Sequence, residues 1–311
     1  MADLPFNENI IRSLAEFRMQ QGDWYTSLFN LITSLGSETS YILMISCIYW
    51  ALSKKKATRI AYAILISALV NSSLKNLIQN PRPFVTSGEN TQLWGTQAEG
   101  YSTPSGHSQI GATFWSTLAL LFKKPWIWVV SIVMIVLIGA SRPLLGVHYV
   151  EDVLIGWTVG LVLAFFIYWI WENKPLPMPQ SEMTFIGSTV VVTLALTLIT
   201  GYIVSFGVNY TDFITLYGIL AGIAIGERIE RRINFQDQSS SILNGVLRII
   251  LGILLIALPL FGLSVIFDLL TTDSTLLGYL LRWIRYLTVG VFAMGLAPYI
   301  FIKLGLSEQI E

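Results

Sequence analysis

Only two histidines occur in this 311-residue chain, and each sits in a polar motif at the edge of an apolar segment. His107 belongs to Pro104-Ser105-Gly106-His107. His148 follows Ser141-Arg142 after five intervening residues and precedes Asp152 by three. A third group lies upstream, where Lys75 is followed after six residues by Arg82-Pro83. His148 and Asp152 are i and i+4, so on a helix beginning near Val147 they share a face. A carboxylate on one ring nitrogen fixes the tautomer and leaves the other nitrogen as an outward lone pair, the arrangement of a nucleophile with its orienter. Ser105 is a good helix N-cap, and the free N–H groups beyond it, next to Gly106 with no side chain, make an anion site. Lys75 and Arg82 are two helical turns apart and can share a face, although Pro81 and Pro83 end the helix before Arg82. Each group also has a plain reading: an anchoring Lys with a juxtamembrane Arg, a capped helix with a surface His, an interfacial His paired with Asp for solubility. Together they point to a phosphate-handling site on a membrane protein.

The elements that must position these residues follow from composition. The chain is 54% hydrophobic and 12% charged, with 19 cations and 19 anions, so net charge identifies no partner. Such a balance belongs to membrane proteins. A spanning helix needs about 20 mostly apolar residues. Nine candidates are read, at roughly 32–52, 57–79, 105–122, 125–142, 148–171, 183–205, 212–227, 242–268 and 279–303. The expected fold is therefore all-α, a polytopic transmembrane helix bundle. Residues 1–23 read as an interfacial amphipathic segment, with Ile10, Ile11, Leu14 and Phe17 on one face, and no cleavable signal peptide is evident. Residues 24–174 read as the motif-bearing core and 175–311 as additional C-terminal spans, divided at Pro175, Pro177 and Pro179. Lys54–Lys56, Arg59, Lys123, Lys124, Lys174, Arg228, Arg231, Arg232 and Lys303 fall on one side of a nine-span chain. By the positive-inside rule that side is cytoplasmic, which places all three motifs on the opposite, non-cytoplasmic face of the cell (plasma or inner) membrane.

The three motifs, in this order and spacing, resemble the type 2 phosphatidic acid phosphatase superfamily, whose pattern is K-x6-RP, then PSGH, then SR-x5-H-x3-D. All three parts are present without a substitution, over residues 24–171. The nine-span layout is also similar to that of the glucose-6-phosphatases. The resemblance implies a membrane phosphatase core of helices and a phosphohistidine intermediate. In that scheme His148 attacks phosphorus and Asp152 holds its tautomer. Lys75, Arg82 and Arg142, with Ser105, Gly106 and the nearby N–H groups, bind the phosphoryl oxygens. His107 protonates the leaving oxygen and then activates water. No metal ligand set is read, so no cofactor is expected. The expected partners are a phosphorylated lipid or other phosphorylated substrate and membrane lipids, with no nucleic acid.

Three alternatives stand beside a lipid phosphatase: a phosphotransferase of the same superfamily, a sugar-phosphate phosphatase, and a non-catalytic lipid transporter. Transporters bind near the bilayer midplane, whereas these motifs cluster at one face. Three further features lie outside the motifs. Loop 84–103, with Trp94 and Tyr101, reads as a cover on the site, as a contact with the headgroup or as a plain connection. Gly218, Gly222 and Gly226 are spaced for close helix approach, within the chain or in a homo-oligomer. Arg282 and Arg285 read either as facing a lipid headgroup or, as preferred, as pairing with Asp268 or Asp273.

Overall fold

The computed structural model describes residues 6–86, 100–173, 182–204, 211–239, 241–272 and 275–309. These residues are helical, with no sheet among them, so the all-α reading holds. Trp94, Lys174, the three linker prolines and Asp273 lie outside the described residues. The chain divides into two compact units, residues 1–42 with 60–176 and residues 43–59 with 177–311.

The first unit contains α1 (Glu8–Gln21), α2 (Asp23–Ser34), the start of α3 (Glu38–Ala51), most of α4 (Lys54–Ile78), the short α5 (Pro83–Thr86), α6 (Gly106–Phe122), α7 (Pro125–Leu144) and α8 (Val150–Asn173). Local chemistry sets the ends. Asn7 Oδ1 accepts from Ile10 N at 3.3 Å and caps α1. Pro125 opens α7, where its fixed φ suits a first turn and its missing N–H costs nothing. Gly146, at φ 75°, lets the chain turn back after α7, a conformation other residues adopt only under strain.

Helix α6 lies inside this unit, with eleven of its residues buried. Helix α8 lies along it because Gly156 and Gly160 present backbone rather than side chain. A Cβ at Gly156 would come within 2.9 Å of Ser105 O, and one at Gly160 would overlap Gln109 O. Asp152, Gly156 and Gly160 are four residues apart on one face, so the stripe that brings the helices together also points Asp152 at the start of α6. Helix α4 joins α6 through a buried polar ladder. Gln109 Nε2 donates to Ser67 O at 2.9 Å, Thr113 Oγ1 donates to Ser67 Oγ at 2.9 Å, and Asn71 Nδ2 donates to Gln109 Oε1 at 2.9 Å. Away from these contacts α7 and α8 expose large apolar residues, among them Trp126, Val129, Ile132, Phe165, Phe166 and Trp169. That is the surface expected to face lipid.

Among the described residues, five helical stretches are long and apolar enough to cross a membrane: Lys54–Val85, Pro125–Leu144, Val150–Asn173, Ile242–Asp268 and Leu276–Lys303. The chain is a multi-pass integral membrane protein. The expected count of nine is not confirmed among the described residues. Residues 32–52 form no single span; α2 and α3 meet at a 48° bend around Gly36 and add at most a sixth. Helix α6 has 17 residues and opens with Gly106, His107, Ser108 and Gln109. Buried in protein, it needs less apolar surface than a lipid-facing span.

The second unit holds α9 (Glu182–Val204), α10 (Thr211–Ile233), α11 (Ile242–Ala257), a π-turn (Leu258–Gly262), α12 (Leu263–Asp268), α13 (Leu276–Val291), a second π-turn (Phe292–Leu296) and α14 (Ala297–Lys303). Gly218, Gly222 and Gly226 pack against α13 and its π-turn within the chain: Cβ atoms at Gly218 and Gly226 would meet Trp283 O at 2.6 Å and Met294 Cβ at 2.8 Å. Carbonyls of the second π-turn accept from Trp50 Nε1 at 2.9 Å and Tyr49 OH at 3.2 Å. Arg285 does not pair with Asp268; its Nη1 donates to Ser264 Oγ at 2.6 Å.

Candidate active site

The three motifs meet at one end of the first unit. Helix α8 begins at Val150, later than its sequence predicts, so His148 is presented from the turn between α7 and α8 rather than from a helix. The pairing with Asp152 survives because Asp152 Oδ2 reaches back over the first turn. It accepts from Tyr149 N at 2.9 Å and stands 3.3 Å from His148 Nδ1. On the other side of the ring, Arg82 Nη1 lies 3.1 Å from His148 Nε2. A guanidinium only donates, so Nε2 is the bare nitrogen and Nδ1 carries the proton. His148 is 2% exposed. Burial, reinforced by the charges of Arg82, Arg142 and Lys75, holds its imidazole well below the ordinary histidine range. The ring is therefore neutral, with its lone pair on Nε2.

Asp152 is fully buried, and two hydroxyls that motif reasoning missed hold it. Ser102 Oγ donates to Oδ2 and Thr103 Oγ1 donates to Oδ1, each at 2.5 Å. Ser102 Oγ also stands 3.3 Å from His148 Nδ1. Both residues directly precede the Pro104-Ser105-Gly106-His107 motif. The Ser/Thr pair was legible as a type, but nothing local in the sequence connects it with a carboxylate 50 residues away. Asn80 holds the segment in turn, accepting from Ser102 N at 2.8 Å and donating from Nδ2 to Thr103 Oγ1 at 3.0 Å.

The cations are arranged differently from one another. Arg82 is fixed by Nε to Gly100 O at 2.8 Å and Nη1 to Val147 O at 3.0 Å. Lys75 Nζ donates to Tyr101 O at 2.9 Å. Arg142 is 6% exposed, and its side chain makes one hydrogen bond among the described residues, Nη1 to Thr33 Oγ1 at 2.5 Å; its Nε is buried without a partner. Ser105 occupies the N-cap position of α6, but its side chain does not cap the helix. Its Oγ accepts from Ser108 Oγ at 2.9 Å, and its backbone N donates to Asp152 O at 3.1 Å. The backbone N–H groups of Gly106, His107 and Ser108 have no partner among the described residues. The His107 ring likewise makes no hydrogen bond among them. The result brings a neutral imidazole lone pair, three cations and the N-terminal N–H groups of α6 to one end of the first unit, groups that can bind a tetrahedral anion and attack its centre.

Residues 56–176 match the PAP2 superfamily, and residues 214–309 match the family described as PAP2 superfamily phosphatase, transmembrane extension. Undecaprenyl-diphosphatase of Sulfolobus acidocaldarius is 31% identical over 124 residues, 40% of this chain and 59% of that protein. Phosphatidylglycerophosphatase B of Bacillus subtilis is 29% identical over 157 residues, 46% of this chain and 74% of that protein. Glucose-6-phosphatase 3 of Bos taurus is 24% identical over 204 residues, 58% of this chain and 57% of that protein.

Proposed function

From a chain that carries a PAP2 superfamily domain followed by that superfamily's transmembrane extension, we propose a membrane phosphatase that hydrolyses a phosphomonoester or diphosphate of a lipid. The observation that carries the reading is the buried neutral imidazole of His148, with Nδ1–H toward Asp152 and Ser102 and Nε2 among Arg82 and the other cations. His148 Nε2 attacks phosphorus and the bond from phosphorus to the leaving oxygen breaks. His107, which takes up a proton as the phosphate anion enters beside it, gives that oxygen its proton. Neutral His107 then takes a proton from water, the water oxygen attacks the phosphohistidine, the N–P bond breaks, and inorganic phosphate leaves. Asp152 stabilises the imidazolium character that develops on His148. Lys75, Arg82, Arg142 and the N–H groups at the start of α6 offset the charge on the phosphoryl oxygens, with Arg forks suited to two oxygens each. No step requires a metal.

A lipid is favoured because two relatives are named for lipid diphosphate or phosphate substrates and because apolar helix faces surround the site-bearing unit. A sugar phosphate is the second reading, since the match to glucose-6-phosphatase 3 extends over 58% of this chain. The site is assigned to the non-cytoplasmic face of the cell membrane. One assay tests the function: phosphate release, with EDTA present, from undecaprenyl diphosphate, phosphatidylglycerophosphate, phosphatidic acid and glucose 6-phosphate, by wild type and His148→Ala. A lipid is expected to be the best substrate, and the variant to lose activity by on the order of a thousandfold or more. Wild-type release by the variant would remove His148 as nucleophile. A requirement for added divalent cation would remove the metal-free scheme.

A further inference from the structure

Outside the residues matched by the PAP2 domain, the bend between α2 and α3 touches two members of the site. Thr33, in the last turn of α2, is buried and accepts the one hydrogen bond that Arg142 makes among the described residues. Three residues on, Gly36 stands against His107: a Cβ there would lie 3.1 Å from His107 Cδ2 and 2.6 Å from Ile138 Cγ2. The bend itself is held by Leu35 N to Ile32 O at 3.2 Å and Gly36 N to Thr33 O at 2.9 Å, so Thr33 and Gly36 move together.

We propose that this α2–α3 elbow is a wall of the phosphate site, with Thr33 a positioning residue for the Arg142 guanidinium and Gly36 setting the clearance beside the His107 ring. The inference rests on the phosphatase reading given above. Arg82 has two backbone carbonyls to fix its direction, whereas Arg142 has Thr33 alone among the described residues. A long side chain with one anchor samples other rotamers once that anchor goes, and its N–H groups then no longer converge on a phosphate. His107 has no hydrogen bond among the described residues to orient it, so packing must do so, and the bare face of Gly36 is part of that packing. The elbow therefore acts on both ends of the reaction: on the oxygens of the transferred group through Arg142 and on the leaving oxygen through His107.

The test compares Thr33→Val, which keeps shape and loses the acceptor, with Thr33→Ser, which keeps the acceptor. The readouts are KM, kcat, the inhibition constant of inorganic phosphate and the thermal midpoint. Thr33→Val is expected to raise KM and the phosphate inhibition constant on the order of tenfold with a modest fall in the thermal midpoint, and Thr33→Ser to stay near wild type. In an Arg142→Gln background, Thr33→Val is expected to add nothing. Unchanged phosphate inhibition in Thr33→Val, or a fully additive loss in the double variant, overturns the role of Thr33. This cycle applies even if one single variant is less stable, because it reads coupling rather than fold. Gly36→Ala is expected to slow an alkyl phosphate more than p-nitrophenyl phosphate, whose leaving group needs little protonation. Equal slowing of both overturns the role of Gly36. Failure here with an active wild type and an inactive His148→Ala leaves the phosphatase reading standing; activity that survives His148→Ala removes that reading instead.

Discussion

His107 and His148 are chemically alike and differently housed. His148 is enclosed, bonded on both nitrogens and neutral. His107 stands half-buried at the mouth of α6, with neither nitrogen engaged among the described residues. In the proposed scheme the unengaged ring serves as the proton donor and the ring already aimed serves as the nucleophile. His107→Ala is expected to cut kcat by about 10²–10⁴-fold on alkyl phosphates and by much less on p-nitrophenyl phosphate. Equal losses on both would count against the acid role. All eight residues singled out from sequence lie in or beside this site, because reactive types at fixed spacing in an apolar chain are conspicuous. Ser102, Thr103 and Thr33 were not legible. Hydroxyl residues are common in helices and loops, and their meaning here comes from partners 50, 49 and 109 positions away.

At the scale of elements, register between α6 and α8 decides the site. The backbone of α8 comes close enough for Ser105 N to reach Asp152 O only because Gly156 and Gly160 carry no side chain. Gly160→Val places methyl groups where Gln109 O now sits. It is expected to destabilise the unit by about 1–3 kcal/mol, read as a lower thermal midpoint in detergent, with a loss of kcat as Asp152 is displaced. Wild-type stability and rate would show that α8 is not set by this contact. Hydrophobic periodicity located most helices to within a few residues, since burial and lipid exposure both demand apolar side chains. It failed at the bend around Gly36, where apolar residues run on through a break, and at the start of α8. There Asp152 caps Tyr149 N and holds two preceding residues outside the helix.

At the scale of the whole molecule, α4, α6 and α7 share a polarity along the helix axis. Helix α6 starts at the site and is followed by Lys123; α7 starts after Lys124 and carries Arg142 in its last turn; α4 opens with Lys54–Lys56 and carries Lys75 in its last turn. Motifs at one end and cations at the other are what the positive-inside rule turns into sidedness. The proposed orientation is checked with Val85→Cys in a Cys47→Ala background, because Val85 is 63% exposed and three residues from Arg82. A membrane-impermeant maleimide is expected to label intact cells. Labelling only after permeabilisation would reverse the assignment.

The contact between Arg82 and His148 Nε2 bears on fidelity. A lone pair that already accepts a hydrogen bond is withheld from stray electrophiles and from idle protonation. In the proposed scheme the oxygens of an entering phosphoryl group draw away the N–H that faces Nε2, while Arg82 stays held by Gly100 O and Val147 O, and the nitrogen is released. Recognition and arming thus become one event. A neutral ester of the same shape is then expected to go unhydrolysed, because it does not draw that N–H away.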